Sequence, residues 1–238
     1  MEDKGISINK FISSKGLCSR READVWIEQG TVMINDKVAK KGNRVYPGDT
    51  VVVNGQKIKN KSTGHKRHIY LILNKPKGVT CTTDKNDKTN IIDYLNFRER
   101  IFPVGRLDKD STGLILLTNN GDIVNEILRK ENKNEKEYIV TVNKEITQDF
   151  ITKMSKPMVI MGTKTLPVKI NQLGTFTFRI VLTQGLNRQI RRMCEKCGYR
   201  VKALKRNRIM HLKLQGMREG EWRVLTQDEV DTLHELLN

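Results

Sequence analysis

Gly105-Arg106-Leu107-Asp108-Lys109-Asp110-Ser111-Thr112-Gly113-Leu114-Ile115-Leu116-Leu117-Thr118 is the stretch from which the rest of the chain is best read. A polar loop carrying two carboxylates runs through a glycine straight into four consecutive large aliphatic residues. Such an apolar run, bounded by polar residues, predicts a strand buried on both faces in the middle of a sheet. Chemistry gathers on loops held by strands of that kind, so Asp108 and Asp110 are the first candidates for a reactive group. A solvated turn, in which both side chains bond local N–H groups, fits the residue pattern equally well. A calcium loop does not. D-x-D-x-x-G matches the opening of an EF-hand, but Asn119 stands where the bidentate glutamate belongs, and a strand follows instead of a helix.

Working outward, strands are predicted over Ile69 to Leu73, ended by Lys75-Pro76-Lys77-Gly78, over Tyr138 to Val142 and over Phe176 to Leu182. Helices are predicted over Ile123 to Leu128, Thr147 to Met154, Asn187 to Lys196 and Thr226 to Leu237. This order is not that of a doubly wound sheet and predicts an α+β fold with a mixed, mostly antiparallel sheet. The first 60 residues read as a separate small unit. Ser7 is placed to cap a short helix with Ile8, Phe11 and Ile12. Ser19 and Glu22 form a capping box for a second helix, stopped by Gly30. Short strands follow at Val32 to Ile34 and Val38, then Val51 to Val53 and Ile58, with Asn54-Gly55 as a hairpin turn. Residues 61–68 are polar, basic and aperiodic and are read as a linker, leaving 69–238 as a catalytic domain.

Charge narrows the function. Lysine and arginine number 44 against 27 acidic residues, a formal net charge of +17. That excess repels itself in a compact state unless a polyanion offsets it, and nucleic acid is the commonest such partner. No apolar run reaches the ~18 residues of a membrane span and no signal-like start is present, so a cytoplasmic protein without a membrane is expected. Of Cys18, Cys81, Cys194 and Cys197, only the last two form C-x-x-C. Zinc requires a second close pair or histidines at ligand spacing, and His65 and His68 are far away. The cysteines are read as reduced packing residues, with no metal.

Two further segments stand out. From Arg188 to Arg208 nine basic residues face one acid, Glu195. Solvated helices usually interleave both signs, so the segment is read as a track for phosphates. On the helix, Ile190, Met193, Cys194 and Cys197 share an apolar face with Arg191 on its border and Arg188 and Arg192 further out. In Lys136-Glu137-Tyr138-Ile139-Val140-Thr141-Val142, Tyr138 opens an alternating strand, where tyrosine is more often a core edge than a catalyst.

These segments carry a family resemblance. GRLDKDSTGLILLTNNGD resembles the catalytic motif of RNA pseudouridine synthases, in the branch named for the bacterial small-subunit enzyme RsuA. NKPKG at Asn74 to Gly78, KEYIVTV, and GLNRQIRRMCEKCGYRVKALKRNRI match that branch's other motifs in order. Within the branch the similarity is greatest to the synthase F group, which takes its name from the ribosomal large subunit. GLCSRREAD at Gly16 to Asp24 and QGTVMIND at Gln29 to Asp36 resemble the alpha-L RNA-binding domain of ribosomal small-subunit protein four.

The resemblance implies an isomerase that converts uridine to pseudouridine without cofactor or metal. It implies three catalytic residues: Asp108 as nucleophile, Arg191 as its ion-pair partner, and Tyr138, stacked on the target base and helping to remove the C5 proton. Asp110 then becomes a loop brace. RNA contacts are implied for Lys75, Arg106, Leu107, Lys109, Arg188, Gln189, Ile190 and Arg192, and for Arg20 and Arg21 in the N-terminal module. The implied partner is a loop of large-subunit ribosomal RNA acted on by a monomer, with tRNA left open. The competing reading is a non-catalytic alpha-L RNA-binding protein. It accounts for the charge and the N-terminal unit but not for Asp108, Tyr138 and Arg191 all falling inside matching motifs.

Overall fold

A computed structural model of the chain describes residues 5–58, 68–129 and 133–237. It divides into two compact units, Met1–Arg67 and His68–Asn238. The predicted linker, 61–68, lies outside the described residues except for His68, which opens the second unit.

In the first unit the elements are β1 (Ile6–Ser7), α1 (Ile8–Ser14), α2 (Arg20–Glu28), β2 (Val32–Ile34), β3 (Lys37–Val38), β4 (Arg44–Val45), β5 (Val51–Val53) and β6 (Gln56–Ile58). Strands β3-β2-β5-β6 form one antiparallel sheet, and β1 pairs with β4. Ile8, Phe11 and Ile12 of α1 and Ala23 and Ile27 of α2 pack on Val32, Val45, Val51 and Val53. The capping box is present: Glu22 N donates to Ser19 Oγ at 3.1 Å and Ser19 N to the Glu22 carboxylate at 2.7 Å. Ser7 departs from expectation. It occupies the N-cap position of α1 but its side chain makes no cap bond, because its backbone is already committed to the β1–β4 pair.

The second unit begins with β7 (Tyr70–Lys75), α3 (Ile91–Leu95), β8 (Phe102–Val104), β9 (Thr112–Thr118), α4 (Asp122–Leu128) and β10 (Lys136–Val142). It continues with α5 (Gln148–Ser155), β11 (Val159–Ile160), β12 (Thr163–Lys164), β13 (Lys169–Gly174), β14 (Thr177–Leu182) and α6 (Gln189–Lys196). It closes with β15 (Val201–Ile209), β16 (Leu212–Lys213), β17 (Trp222–Val224) and α7 (Gln227–Glu235). The main sheet runs β13-β14-β10-β15-β9-β7-β17, with β8 also on β9 and β16 on β15. Its described pairs are antiparallel except β9 with β15. Strand β9 is central as predicted. Leu114 and Leu116 pack with Tyr70 and Ile72 against α4 and α7, while Ile115 and Leu117 pack with Leu71 and Leu73 against α3. Each such side chain, fully buried, contributes about 1.5–3 kcal/mol. Beyond β15, Val140, Phe178 and Ile180 pack against Phe150 and Met154 of α5 and Ile190, Met193 and Cys194 of α6.

The parallel seam rests on one glycine. Gly113 sits at φ +106°, opposite Arg206 in register, and a Cβ there would lie 2.2 Å from the Arg206 carbonyl oxygen. No side chain fits.

The basic segment is not a uniform phosphate track. Strand β15 takes Arg206 into the core, 2 % exposed, with Nε donating to Leu114 O at 2.7 Å. Arg208 pairs with Glu135 at 2.8 Å and lies 3.7 Å from Glu137. Counting charges along the sequence missed this because strand β15 turns Arg206 into the core and brings Arg208 to two carboxylates. Lys136 is buried as well. Among the described residues its ammonium reaches only Asn134 O, at 3.3 Å, and burial, reinforced by the Arg206 charge, lowers its pKa to about 8.

Two consequences are measurable. Gly113→Ala is expected to cost more than about 2 kcal/mol, read as a melting temperature lower by roughly 5 °C or more. A normal melting curve would show that the seam tolerates a side chain. For Lys136, the folded state releases its proton near pH 8 and the unfolded chain near the ordinary lysine value of 10.5, so stability gains across that interval and the charged form is a burden below it. Lys136→Met is therefore expected to stabilise at pH 7 by about 1–3 kcal/mol, the advantage shrinking as pH rises towards 10. Paired denaturant titrations at pH 7 and 10 test this; a pH-independent difference would contradict it.

Candidate active site

Asp108 lies in the loop between β8 and β9, and its neighbours on each side are fixed through backbone groups. Leu107 N donates to the buried Cys81 Sγ at 3.4 Å. Lys109 O accepts from Gly78 N at 2.9 Å and from Lys75 Nζ at 3.5 Å. Ser111 N donates to the Asp108 carbonyl at 3.0 Å. Asp110, expected to brace the loop, makes no side-chain hydrogen bond among the described residues; Ser111 and Lys75 do that work.

Lys75 departs from the expected RNA contact. It is 0 % exposed, and Nζ donates to Pro76 O and Val79 O, both at 2.8 Å, besides Lys109 O. Its ammonium ties the turn after β7 to the loop after β8. Burial pushes its pKa below the ordinary lysine value, with the nearby Cys81, Asp108, Asp110 and Glu219 pulling the other way. A cation enclosed by carbonyls is a brace that RNA does not reach.

Helix α6 supplies the charge that faces Asp108. Arg191 is 9 % exposed, its Nη2 donating to the buried Ser111 Oγ at 3.3 Å and its Nη1 to Val201 O at 3.5 Å. Its Nε lies 3.6 Å from Asp108 Oδ2 and has no other partner among the described residues. The expected pair of Arg191 with Asp108 is thus brought together. Arg188 approaches the same oxygen, Nη1 at 3.4 Å, a contact the sequence did not signal. It precedes α6 with a left-handed backbone (φ 51°, ψ 34°), which is why the helix begins at Gln189 and not at Asn187. Asp108 Oδ1 has no partner among the described residues.

The remaining residues divide by burial. Gln189 is 4 % exposed and accepts from Leu186 N at 3.0 Å, Ile190 belongs to the core under α6, and Leu107 to the core under α3. These three, expected at RNA, are packing and capping groups, as the apolar face of α6 requires. Arg106 and Lys109 are exposed beside Asp108; neither side chain makes a hydrogen bond among the described residues, and the Lys109 charge helps lower the pKa of Asp87. Arg192 donates to Asn187 O and Oδ1 at 3.1 and 3.3 Å. Arg20 and Arg21 are exposed on α2 of the first unit. Tyr138 is half-buried on β10 at a bulge, opposite Ile180 and Arg206, and packs against the cluster that contains Leu107. Ser111 and Cys81 were missed, although Ser111 lies inside the motif string. Among the described residues no His/Cys/Asp/Glu group is arranged to hold a metal ion, the four cysteines are free, and no helix is long and apolar enough to cross a membrane.

Comparison with known proteins agrees with this architecture. Residues 69–196 match the RNA pseudouridylate synthase family and residues 7–51 match the S4 domain. The chain is 52% identical over 237 residues to the dual-specificity RNA pseudouridine synthase RluF of Escherichia coli (strain K12), covering 100% of this chain and 81% of that protein. It is 34% identical to ribosomal large subunit pseudouridine synthase B of Bacillus subtilis (strain 168), covering 96% of each. A crystal structure of a pseudouridylate synthase superposes with a TM-score of 0.68 at 28% identity, covering 96% of this chain and 100% of that one. The chain therefore belongs to the RNA pseudouridine synthase family, with an S4 domain ahead of an α+β catalytic domain.

Proposed function

We propose that the chain isomerises a uridine in a loop of large-subunit ribosomal RNA, with Asp108 as the nucleophile. The observation that carries this is the geometry of one carboxylate: a braced loop holds it, two guanidinium groups crowd Oδ2, and Oδ1 is open. Isomerisation breaks N1–C1′, turns the uracil, joins C5 to C1′, transfers a proton to N1 and removes one from C5. A carboxylate is the right group to meet an electron-poor anomeric centre, whether at C1′ or through a glycal. No second carboxylate is required, since the departing base stays bound and no water is activated. Arg191 holds the carboxylate in position. Tyr138 stacks on the freed uracil, and Arg106 and Lys109 hold the nucleotide out of its stack, a step that costs least in loops. Residues 1–60, with Arg20 and Arg21, grip flanking phosphates.

The RNA class is supported by the name of the Bacillus subtilis relative. That of the Escherichia coli relative, dual-specificity, favours a second RNA, for which tRNA is the candidate. A cytoplasmic site of action accords with a ribosomal RNA substrate, and the chain is proposed to act as a monomer.

The test is pseudouridine mapping of total RNA from cells lacking the protein, complemented with wild type or Asp108→Asn. A site lost on deletion and restored by wild type alone is expected; restoration by Asp108→Asn would remove Asp108 as nucleophile. Arg191→Gln is expected to lower single-turnover rate by about a hundredfold or more, as loss of a buried electrostatic partner does. Unchanged turnover would make it scaffold. Removing residues 1–67 is expected to weaken RNA binding and flatten its salt dependence; an identical slope would mean the first unit does not touch RNA.

A further inference from the structure

Asp108 has two guanidinium partners on the same oxygen, and they are not equivalent. Arg191 is locked: its side chain is 11% exposed and is bonded to Ser111 and Val201 besides facing Asp108. Arg188 is loose. Its side chain is 41% exposed, and its guanidinium has no described partner except Asp108, at 3.4 Å. Arg191 stands slightly farther from the same oxygen, at 3.6 Å, but Ser111 and Val201 hold it in place, whereas nothing else described holds Arg188. One carboxylate with two cations also leaves a net positive charge at the mouth of the site. Most of that surplus sits on the exposed member.

The backbone sets where this arginine stands. Arg188 holds a left-handed conformation, uncommon for a residue with a long side chain. Asparagine or glycine would adopt it more readily. The turn stands Arg188 outside α6, on the rim beside Asp108.

We propose that Arg188 is a displaceable clasp: it covers Asp108 while the site is empty and passes to a backbone phosphate beside the target uridine when RNA enters. Asp108 is then left with Arg191 alone, less damped as a nucleophile, because the second guanidinium leaves Oδ2 when a substrate phosphate takes it. No bond is made or broken in this exchange; one ion pair is traded for another. The proposal rests on the assignment of Asp108 given above.

The test uses the full chain and transcribed large-subunit ribosomal RNA labelled with tritium at uridine C5. Filter binding at several salt concentrations is measured alongside single-turnover tritium release. Arg188→Asn suits the left-handed backbone and removes the charge; Arg188→Lys keeps the charge. For Arg188→Asn the expected result is binding about tenfold weaker and a log–log salt slope smaller by about 0.7, the value for one phosphate on a single strand. Arg188→Lys, which keeps the charge, should recover both the affinity and the slope. An unchanged affinity and slope would overturn the clasp. So would a large loss of saturated rate with the slope intact, which would make Arg188 a second fixed counter-ion. Failure of the Asp108 assignment is separable, because it appears as tritium release by Asp108→Asn and leaves the Arg188 binding slope untouched.

Discussion

The contact on which the catalytic unit depends is the close parallel approach of β9 to β15 at Gly113 and Arg206. In a sheet whose other described pairs are antiparallel, a parallel pair brings the lead-in segments of both strands to the same end. The lead-in to β9 is the loop with Asp108, and the lead-in to β15 is helix α6 with Arg188 and Arg191. Residues 80 apart in sequence therefore meet without any special loop to carry them. The register sharpens this. Lys205 pairs with Thr112, so β15 has already run four residues from Val201 before β9 begins, and Val201 O is in place to hold the Arg191 guanidinium.

A second layer of constraint consists of cations where an apolar core would normally exclude them. Lys75, Lys136 and Arg206 are all buried, and none has a carboxylate among its described hydrogen-bond partners; carbonyl oxygens take that place. Such cations cost stability through desolvation. Lys75 offsets its cost by joining two loops that backbone hydrogen bonds alone tie at a single point, Gly78 N to Lys109 O. Arg206 spans from β15 to the carbonyl of Leu114, across the seam itself. Lys136 has no comparable role, and its lowered pKa reflects that isolation.

Much of this was legible in the sequence, for identifiable reasons. Strand β9 declared itself because a run of large aliphatic residues has few other homes. The Ser19–Glu22 box and the Asn54-Gly55 turn declared themselves because capping and positive φ select residue types strongly. Asp108 and Arg191 were found through motif strings, and their pairing is a tertiary fact that periodicity does not contain. What stayed hidden was burial of charge. Lys75 and Arg206 look like surface cations because lysine and arginine almost always are, and only the partner strand reveals otherwise. Strand β15 was concealed by its own basic residues, and the left-handed turn at Arg188 by its unsuitable side chain.

That last mismatch links fold to function. A helix beginning one residue earlier would give Arg188 an ordinary helical backbone and redirect its side chain from its present line. Arg191, three positions on, would be little affected, since its hold on Ser111 and Val201 comes from elsewhere. The left-handed residue therefore acts on one arginine and spares the other. It sets an exposed cation on the rim while the buried one stays beneath, so Asp108 keeps one partner that is held by Ser111 and Val201. A site of this kind needs no lid: the substrate's own phosphate does the uncovering.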